Sequence, residues 1–154
     1  MKRIIAIIGT GKAAETHING YNEIRGIKIK WIFSKEASRS HDLSKRYKIP
    51  NYTKNYNDIL NDPEVEIVDI ANKNYQHLDF AEKALEKKKN VIIEKPIDID
   101  IKKTKRFYKK YKNSDRSILI VYQYPYSETF KKLGEIIHSK KYGELKAYSI
   151  KHFS

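Results

Sequence analysis

Apolar positions along this chain alternate between short continuous runs and helix-spaced sets. Residues 3–8, 27–33, 65–71 and 91–93 are β-branched or apolar runs of strand length. All four read as strands, and residues 3–8 and 91–93, unbroken by alternation, read as buried ones. Another strand is expected at residues 117–123. Between them the period lengthens. Residues 14–24 bring Ala14, Ile18, Tyr21 and, at the end, Ile24 near one face, and residues 39–47 and 56–61 read as two further helices. Residues 75–87 carry Leu78, Ala81 and Leu85 inward. Residues 101–112 place Thr104, Tyr108 and Tyr111 near one face, and residues 127–139 align Phe130, Leu133 and Ile137. Residues 49–52 read as a connector, because Pro50 disfavours helix at Ile49. Gly143 closes the last helical region, and residues 144–151 are expected to begin one more strand.

Strand and helix in regular alternation predict an α/β fold: a doubly wound, mainly parallel sheet of Rossmann type with helices on both faces and right-handed crossovers. The first junction sharpens this. Gly9-Thr10-Gly11-Lys12-Ala13-Ala14 follows directly on the first strand and opens the first helix, the context in which G-x-G-x-x-G/A signals dinucleotide binding. Gly9 permits the tight turn. Gly11 has no Cβ to hold the backbone away from a pyrophosphate, and Ala14 lets the helix pack close to the strand. The phosphates would meet the free N–H groups and positive dipole end of that helix.

Composition changes the picture little. The 154 residues carry a formal net charge of +13 and no cysteine, so disulfides are excluded and a cytoplasmic setting is expected. No apolar stretch approaches the roughly 20 residues a membrane span needs, so no membrane partner is expected, and no metal site either. The positive charge is mostly Lys spread over helix faces, as in Lys102, Lys103, Lys105, Lys109, Lys110 and Lys112. That is a solvated face rather than a base-reading element, so no specific nucleic-acid partner is expected.

Several motifs further along fall at strand ends. Ala71-Asn72-Lys73-Asn74-Tyr75-Gln76-His77 follows one strand, Glu94-Lys95-Pro96 the next, and Ile118 to Tyr122 leads into Gln123. With Gly9-Thr10-Gly11, Ala14 and His17, this order and spacing resemble the N-terminal domain of the glucose–fructose oxidoreductase and inositol dehydrogenase family, Gfo/Idh/MocA, over essentially the whole chain. The resemblance implies a Rossmann domain that binds NAD or NADP and a hydride exchange with a sugar-like or polyol substrate. It implies that Lys95 assists proton transfer and orients the substrate hydroxyl, that Glu94 lies beside the nicotinamide ribose, and that Pro96 fixes the backbone presenting both. It also implies that Asn72, Asn74 and His77 line the cofactor cleft and that Gln123 provides a polar group near the nicotinamide.

Ligands of open parallel sheets bind beyond the carboxyl ends of the strands, where Gly9, Ser34, Asn72, Glu94 and Gln123 would all lie. A lysine partly desolvated beside a cationic nicotinamide suits acid–base chemistry. His17, one turn into the first helix, is read as a capping or packing residue rather than a cofactor contact. Tyr122, Tyr124 and Tyr126 alternate as on one face of an extended segment. The second strand ends Ile32-Phe33-Ser34-Lys35, with Arg39 one turn on. Ser34 can donate to a ribose 2′-phosphate while Lys35 and Arg39 neutralise it, so NADP is expected in preference to NAD. Glu36 is expected to point outward.

Two features depart from the family pattern. Asn72-Lys73 replaces a common Thr-Pro, and Val121 and Pro125 differ from the usual entry to the last helix. The expected division is a Rossmann core over residues 1–123, with residues 124–154 as the last helix and the start of a second domain that is otherwise absent. His152 does not match the later family histidine in position. On this reading the chain binds cofactor without turning over substrate, as a truncated protein, an excised fragment or a degenerate product. The alternative is a non-catalytic nucleotide-binding or cofactor-sensing module. Either is compatible with a homo-oligomer.

Overall fold

The computed structural model describes residues 2–149. They fall into two compact units, Met1–Val121 and Tyr122–Ser154.

The first unit is built on six parallel strands: β1 (Arg3–Ile8), β2 (Ile27–Phe33), β3 (Asn51–Thr53), β4 (Ile67–Ile70), β5 (Asn90–Ile93) and β6 (Ile118–Ile120). Their spatial order is β3-β2-β1-β4-β5-β6. The expected parallel sheet with β1 at its centre is thus the observed one, reversing direction of growth on either side of β1. The register sets Ile8 opposite both Phe33 and Ile70, Ile70 opposite Ile93, and Ile93 opposite Ile120. The strands therefore finish in line, and their loops share one edge.

Alternation along β1 divides the core in two. Ile5 and Ile7 pack with Ala14 and Ile18 of α1 (Lys12–Glu23) and Leu43 of α2 (Ala37–Tyr47). Ala6 and Ile8 face the opposite layer, with Ile59 and Leu60 of α3 (Tyr56–Leu60), Leu78, Ala81 and Leu85 of α4 (His77–Glu86), and Phe107 of α5 (Ile101–Tyr111). Helices cover both faces, as the double-sided strands require.

Five expectations are corrected. Residues 49–52 are not a plain connector: Asn51–Thr53 adds an edge strand on Trp31, Ile32 and Phe33, held by backbone pairing that no hydrophobic period announces. Ile24 is the C-cap of α1 and 53% exposed. On α5 the buried aromatic is Phe107, while Tyr108 is 70% exposed, because the helix is rotated to seat Phe107 in the core. The lysines named on and just after α5 form the expected solvated face with one exception, the half-buried Lys103; the exposed Lys110 pairs at the surface. Lys103 bridges Asp79 and Asp98 at 2.7 and 3.1 Å, and Lys110 reaches Glu82 and Glu86 of α4 at 3.4 and 3.2 Å. Tyr124–Tyr126 forms a 3-10 turn, so the three tyrosines do not share an extended face.

The second unit contains that turn and α6 (Glu128–Ser139). The Ser127 hydroxyl accepts from the Phe130 N–H at 3.4 Å and caps the helix, and Lys140 ends it in a left-handed conformation. Over residues 144–149 there is no strand. The rest of that expected strand, and His152, lie outside the described residues. Among the described residues no helix is long and apolar enough to cross a membrane.

Candidate functional site

The aligned carboxyl ends of β1, β2 and β4 open into a cleft of about 410 Å³. Its floor is the glycine turn. Gly9 has φ +125°, and a Cβ there would stand 2.5 Å from the Ala71 carbonyl oxygen. Only glycine lets the β1 and β4 loops approach this closely. A Cβ at Gly11 would meet nothing within 4 Å, so its backbone faces open space at the entrance to α1. Gly11 is the N-cap, no side chain caps the helix, and the first bond of the ladder runs from the Glu15 N–H to the Gly11 carbonyl at 3.1 Å. The N–H groups of Lys12, Ala13 and Ala14 are thus left without helical acceptors. Ala14 is fully buried against the sheet.

One wall comes from the β2 loop and the start of α2: Ser34, Lys35, Glu36 and Arg39 all line the cleft. Glu36 corrects the expectation that it points outward. As the N-cap of α2 it stays at the cleft rim, where its carboxylate pairs with the Arg39 guanidinium at 2.8 Å and its N–H donates to the Ser34 hydroxyl at 3.2 Å. The opposite wall is the β4 loop, with Asn72, Lys73, Tyr75 and Gln76. The Asn72 side-chain amide donates to Gln76 at 3.3 Å. The cleft lining brings together Gly9, Thr10, Gly11, Ser34, Lys35, Arg39 and Asn72, all singled out from the sequence. It also includes Glu36, Lys73, Tyr75 and Gln76, which were not.

Other expected site residues sit elsewhere. Asn74 begins the 3-10 turn Asn74–Gln76 and is not among the lining residues. His77 lies beneath the cleft, fully buried. Its Nδ1 is 2.8 Å from the Pro96 carbonyl and its Nε2 is 3.1 Å from the Asn72 carbonyl, so the ring ties the β4 loop to the β5 loop. Glu94 and Lys95 follow β5 along the same sheet edge, outside the cleft lining. Lys95 is exposed, and the Lys95–Pro96 peptide bond is cis. Gln123 belongs to the second unit and precedes its 3-10 turn.

Beneath the β5 loop lies a charged cluster that the sequence reading missed. Asp69 is fully buried in β4. One carboxylate oxygen accepts from the Tyr21 hydroxyl at 2.7 Å and faces His17 Nδ1 at 2.8 Å. His17 Nε2 lies 3.2 Å from Glu94 Oε1, and Glu94 Oε2 accepts from the Lys95 N–H at 2.8 Å. The hydrogen bond to Asp69 holds the His17 imidazolium above its ordinary pKa, against the opposing effect of burial, and Glu94 adds to it. Burial and the Asp69 charge push the Tyr21 phenol far upward, so it remains a donor. The signal was present in the sequence: an aspartate inside the apolar run Ile67-Val68-Asp69-Ile70 needs a buried partner.

Comparison with known proteins agrees with this geometry. Residues 3–122 match the Gfo/Idh/MocA family, described as an oxidoreductase family with an NAD-binding Rossmann fold. Inositol 2-dehydrogenase of Salmonella typhimurium is 29% identical over 141 residues, covering 90% of this chain and 42% of that protein. The fold is shared with a crystal structure of a putative NADPH-dependent oxidoreductase from Desulfitobacterium hafniense, at a TM-score of 0.87 and 23% identity over 93% of this chain and 41% of that one. It is also shared with myo-inositol dehydrogenase from Lactobacillus casei, solved with NAD(H) and myo-inositol, at a TM-score of 0.86 and 20% identity, covering 93% and 43%. This chain spans about two-fifths of the length of such relatives. It belongs to the Gfo/Idh/MocA oxidoreductase family, and the matched residues are that family's NAD-binding Rossmann domain.

Proposed function

We propose that this member of the family binds a nicotinamide dinucleotide across the cleft, NADP in preference to NAD, as the cofactor-binding part of an oxidoreductase acting on a sugar-like or polyol hydroxyl. The observation that carries the reading is the glycine turn: Gly9 is admitted only without a Cβ, Gly11 faces open space, and the N–H groups of Lys12, Ala13 and Ala14 are free to receive phosphate. Thr10 lies between the two glycines on the cleft floor.

Ser34, Lys35 and Arg39 stand together on the wall where an adenosine ribose would sit, which supports a 2′-phosphate. Glu36 opposes that phosphate. Its pairing with Arg39 joins two side chains that are each 63% exposed, and such pairs are weak. A dianionic phosphate can therefore take over the guanidinium. Asn72 contributes a polar side chain from the opposite wall. Asn74 and Glu94 are proposed to act toward the nicotinamide end, with Lys95 handing a proton to or from the substrate hydroxyl and His77 holding the two loops together. The bound cofactor would supply the hydride acceptor or donor at its nicotinamide ring.

We further propose that the 154-residue chain binds cofactor without polyol turnover. The exposed Lys95 ammonium has no acid–base side chain within hydrogen-bond distance among the described residues. Calorimetric titration with NADPH and NADH at physiological salt tests the assignment. The expected result is tighter binding of NADPH, reversed by Ser34→Asp. Binding of NADH as tight as that of NADPH in the native chain, or a ratio unmoved by Ser34→Asp, would overturn the NADP preference, and no binding of either would overturn the reading itself.

A further inference from the structure

We infer that His17 is a positioning residue for the Glu-Lys-Pro turn: an imidazolium clamped between buried Asp69 and Glu94 that fixes, through Glu94, the backbone presenting Lys95. The inference rests on the cofactor-site reading above, since it assigns a task to a side chain beneath that site.

Four observations carry it. Both His17 ring nitrogens face carboxylate oxygens, Asp69 Oδ2 at 2.8 Å and Glu94 Oε1 at 3.2 Å. Ionised carboxylates only accept, so both contacts are hydrogen bonds only when the ring carries both protons. The cluster is sheltered, with Asp69 fully buried and the His17 and Glu94 side chains 14% and 15% exposed. The second Asp69 oxygen is buried without a partner, so that carboxylate depends on His17 and the Tyr21 hydroxyl for its compensation. Finally, the chain of contacts ends at the Lys95 N–H, 2.8 Å from Glu94 Oε2.

These contacts cross three elements. Asp69 stands in the middle of the sheet, His17 and Tyr21 on α1, and Glu94 at the end of β5. The titratable groups acting on His17 are Asp69 and Glu94, with the Tyr21 ring edge-on at 6.4 Å. The helix that offers its N-terminus to phosphate is thereby tied to the loop that carries Lys95. Loss of the second ring proton leaves one carboxylate facing an unprotonated nitrogen. Glu94 makes the longer contact and is the more exposed of the two, so it is the one released. The Lys95 N–H then loses a fixed acceptor.

The test follows the His17 ring nitrogens and the Lys95 amide by NMR through a pH titration of the cofactor-free chain. Both are expected to share one midpoint, above 6.5. In His17→Gln the Lys95 midpoint disappears and amide protection falls about tenfold, the size of one charge-assisted hydrogen bond. Tyr21→Phe, which leaves the Glu94 contact in place, keeps the shared midpoint. NADPH affinity, read by calorimetry over the same range, declines through that midpoint in the native chain. A Lys95 amide that ignores the His17 titration, or an affinity that does, overturns the inference, and because the native chain reports both, a His17→Gln protein that fails to fold does not remove the test. Failure to bind either dinucleotide at any pH, with the amide coupling intact, overturns the functional reading instead.

Discussion

The sheet has a charged cluster near each end of its strands, and the two are built to opposite rules. Ahead of β4 and β5, the buried Lys89 donates to the Asp62 and Val65 carbonyls at 2.8 and 2.9 Å. Asp62 accepts from Lys30 and from the Trp31 indole, both at 2.7 Å, and Lys30 also pairs with Glu64. Burial pushes the Asp62 carboxyl up, but Lys30, Trp31 and the Glu64 N–H together hold it below its ordinary value. There the donors meet fixed backbone or carboxylate acceptors, and the cluster closes a loop. Under the carboxyl ends, a histidine lies between two carboxylates, one buried oxygen goes without a partner, and the contacts lead to an exposed lysine. One edge is saturated and structural. The other keeps unspent polarity where a ligand is expected, as functional sites do.

The largest effect expected is at the functional edge. Gly9→Ala drives a Cβ to 2.5 Å from the Ala71 carbonyl at φ +125°, so it should destabilise the chain by about 3 kcal/mol or more and abolish dinucleotide binding. Denaturant unfolding and calorimetry read the two losses. An unperturbed Gly9→Ala protein would remove the close approach from the account. Lys89→Met comes next. It strips the Val65 carbonyl of its Lys89 donor and leaves the Asp62 carbonyl only the Val65 N–H at 3.3 Å, and should cost about 2 kcal/mol, with NADPH affinity unchanged. A loss of affinity as large as the loss of stability would erase the distinction between the edges.

The smallest effect is the pH dependence, and its sign differs between the edges. His17 has a raised folded pKa, so its contribution is fully present below about 6.5 and is lost as pH rises through the higher folded value. Burial lowers the Lys89 pKa. Its charge is therefore a penalty at low pH, relieved as pH rises from the folded value toward about 10.5. Unfolding curves against pH should lose the first slope in His17→Gln and the second in Lys89→Met. Slopes that persist in both variants would assign the dependence to other groups.

The same contrast explains what could be read from the sequence. β1 is legible to the residue because a strand covered on both faces writes itself as a continuous apolar run, and β2 because its apolar positions alternate with Lys28 and Lys30 before closing on Trp31-Ile32-Phe33. The glycine turn is legible because its constraint is local: one φ and one close approach. What is not legible depends on partners distant along the chain. β3 exists through pairing with β2, twenty residues earlier in register (Trp31 with Asn51), and has only one buried side chain of its own. His17 reads as packing until Asp69 and Glu94, 52 and 77 residues away, are brought to it. Glu36 reads as outward until helix α2 begins one residue later and holds it at the cleft rim.

Dinucleotide is expected to bind at the carboxyl edge and nowhere else on the sheet. Backbone amide NMR of the chain titrated with NADPH at physiological salt reads this residue by residue. Saturable shifts are expected at Gly9, Gly11, Lys12, Ala13, Ser34, Lys35 and Asn72, with Lys89, Asn90 and the α5 lysines still. Shifts centred on α5, or spread over the lysines without saturation, would contradict it.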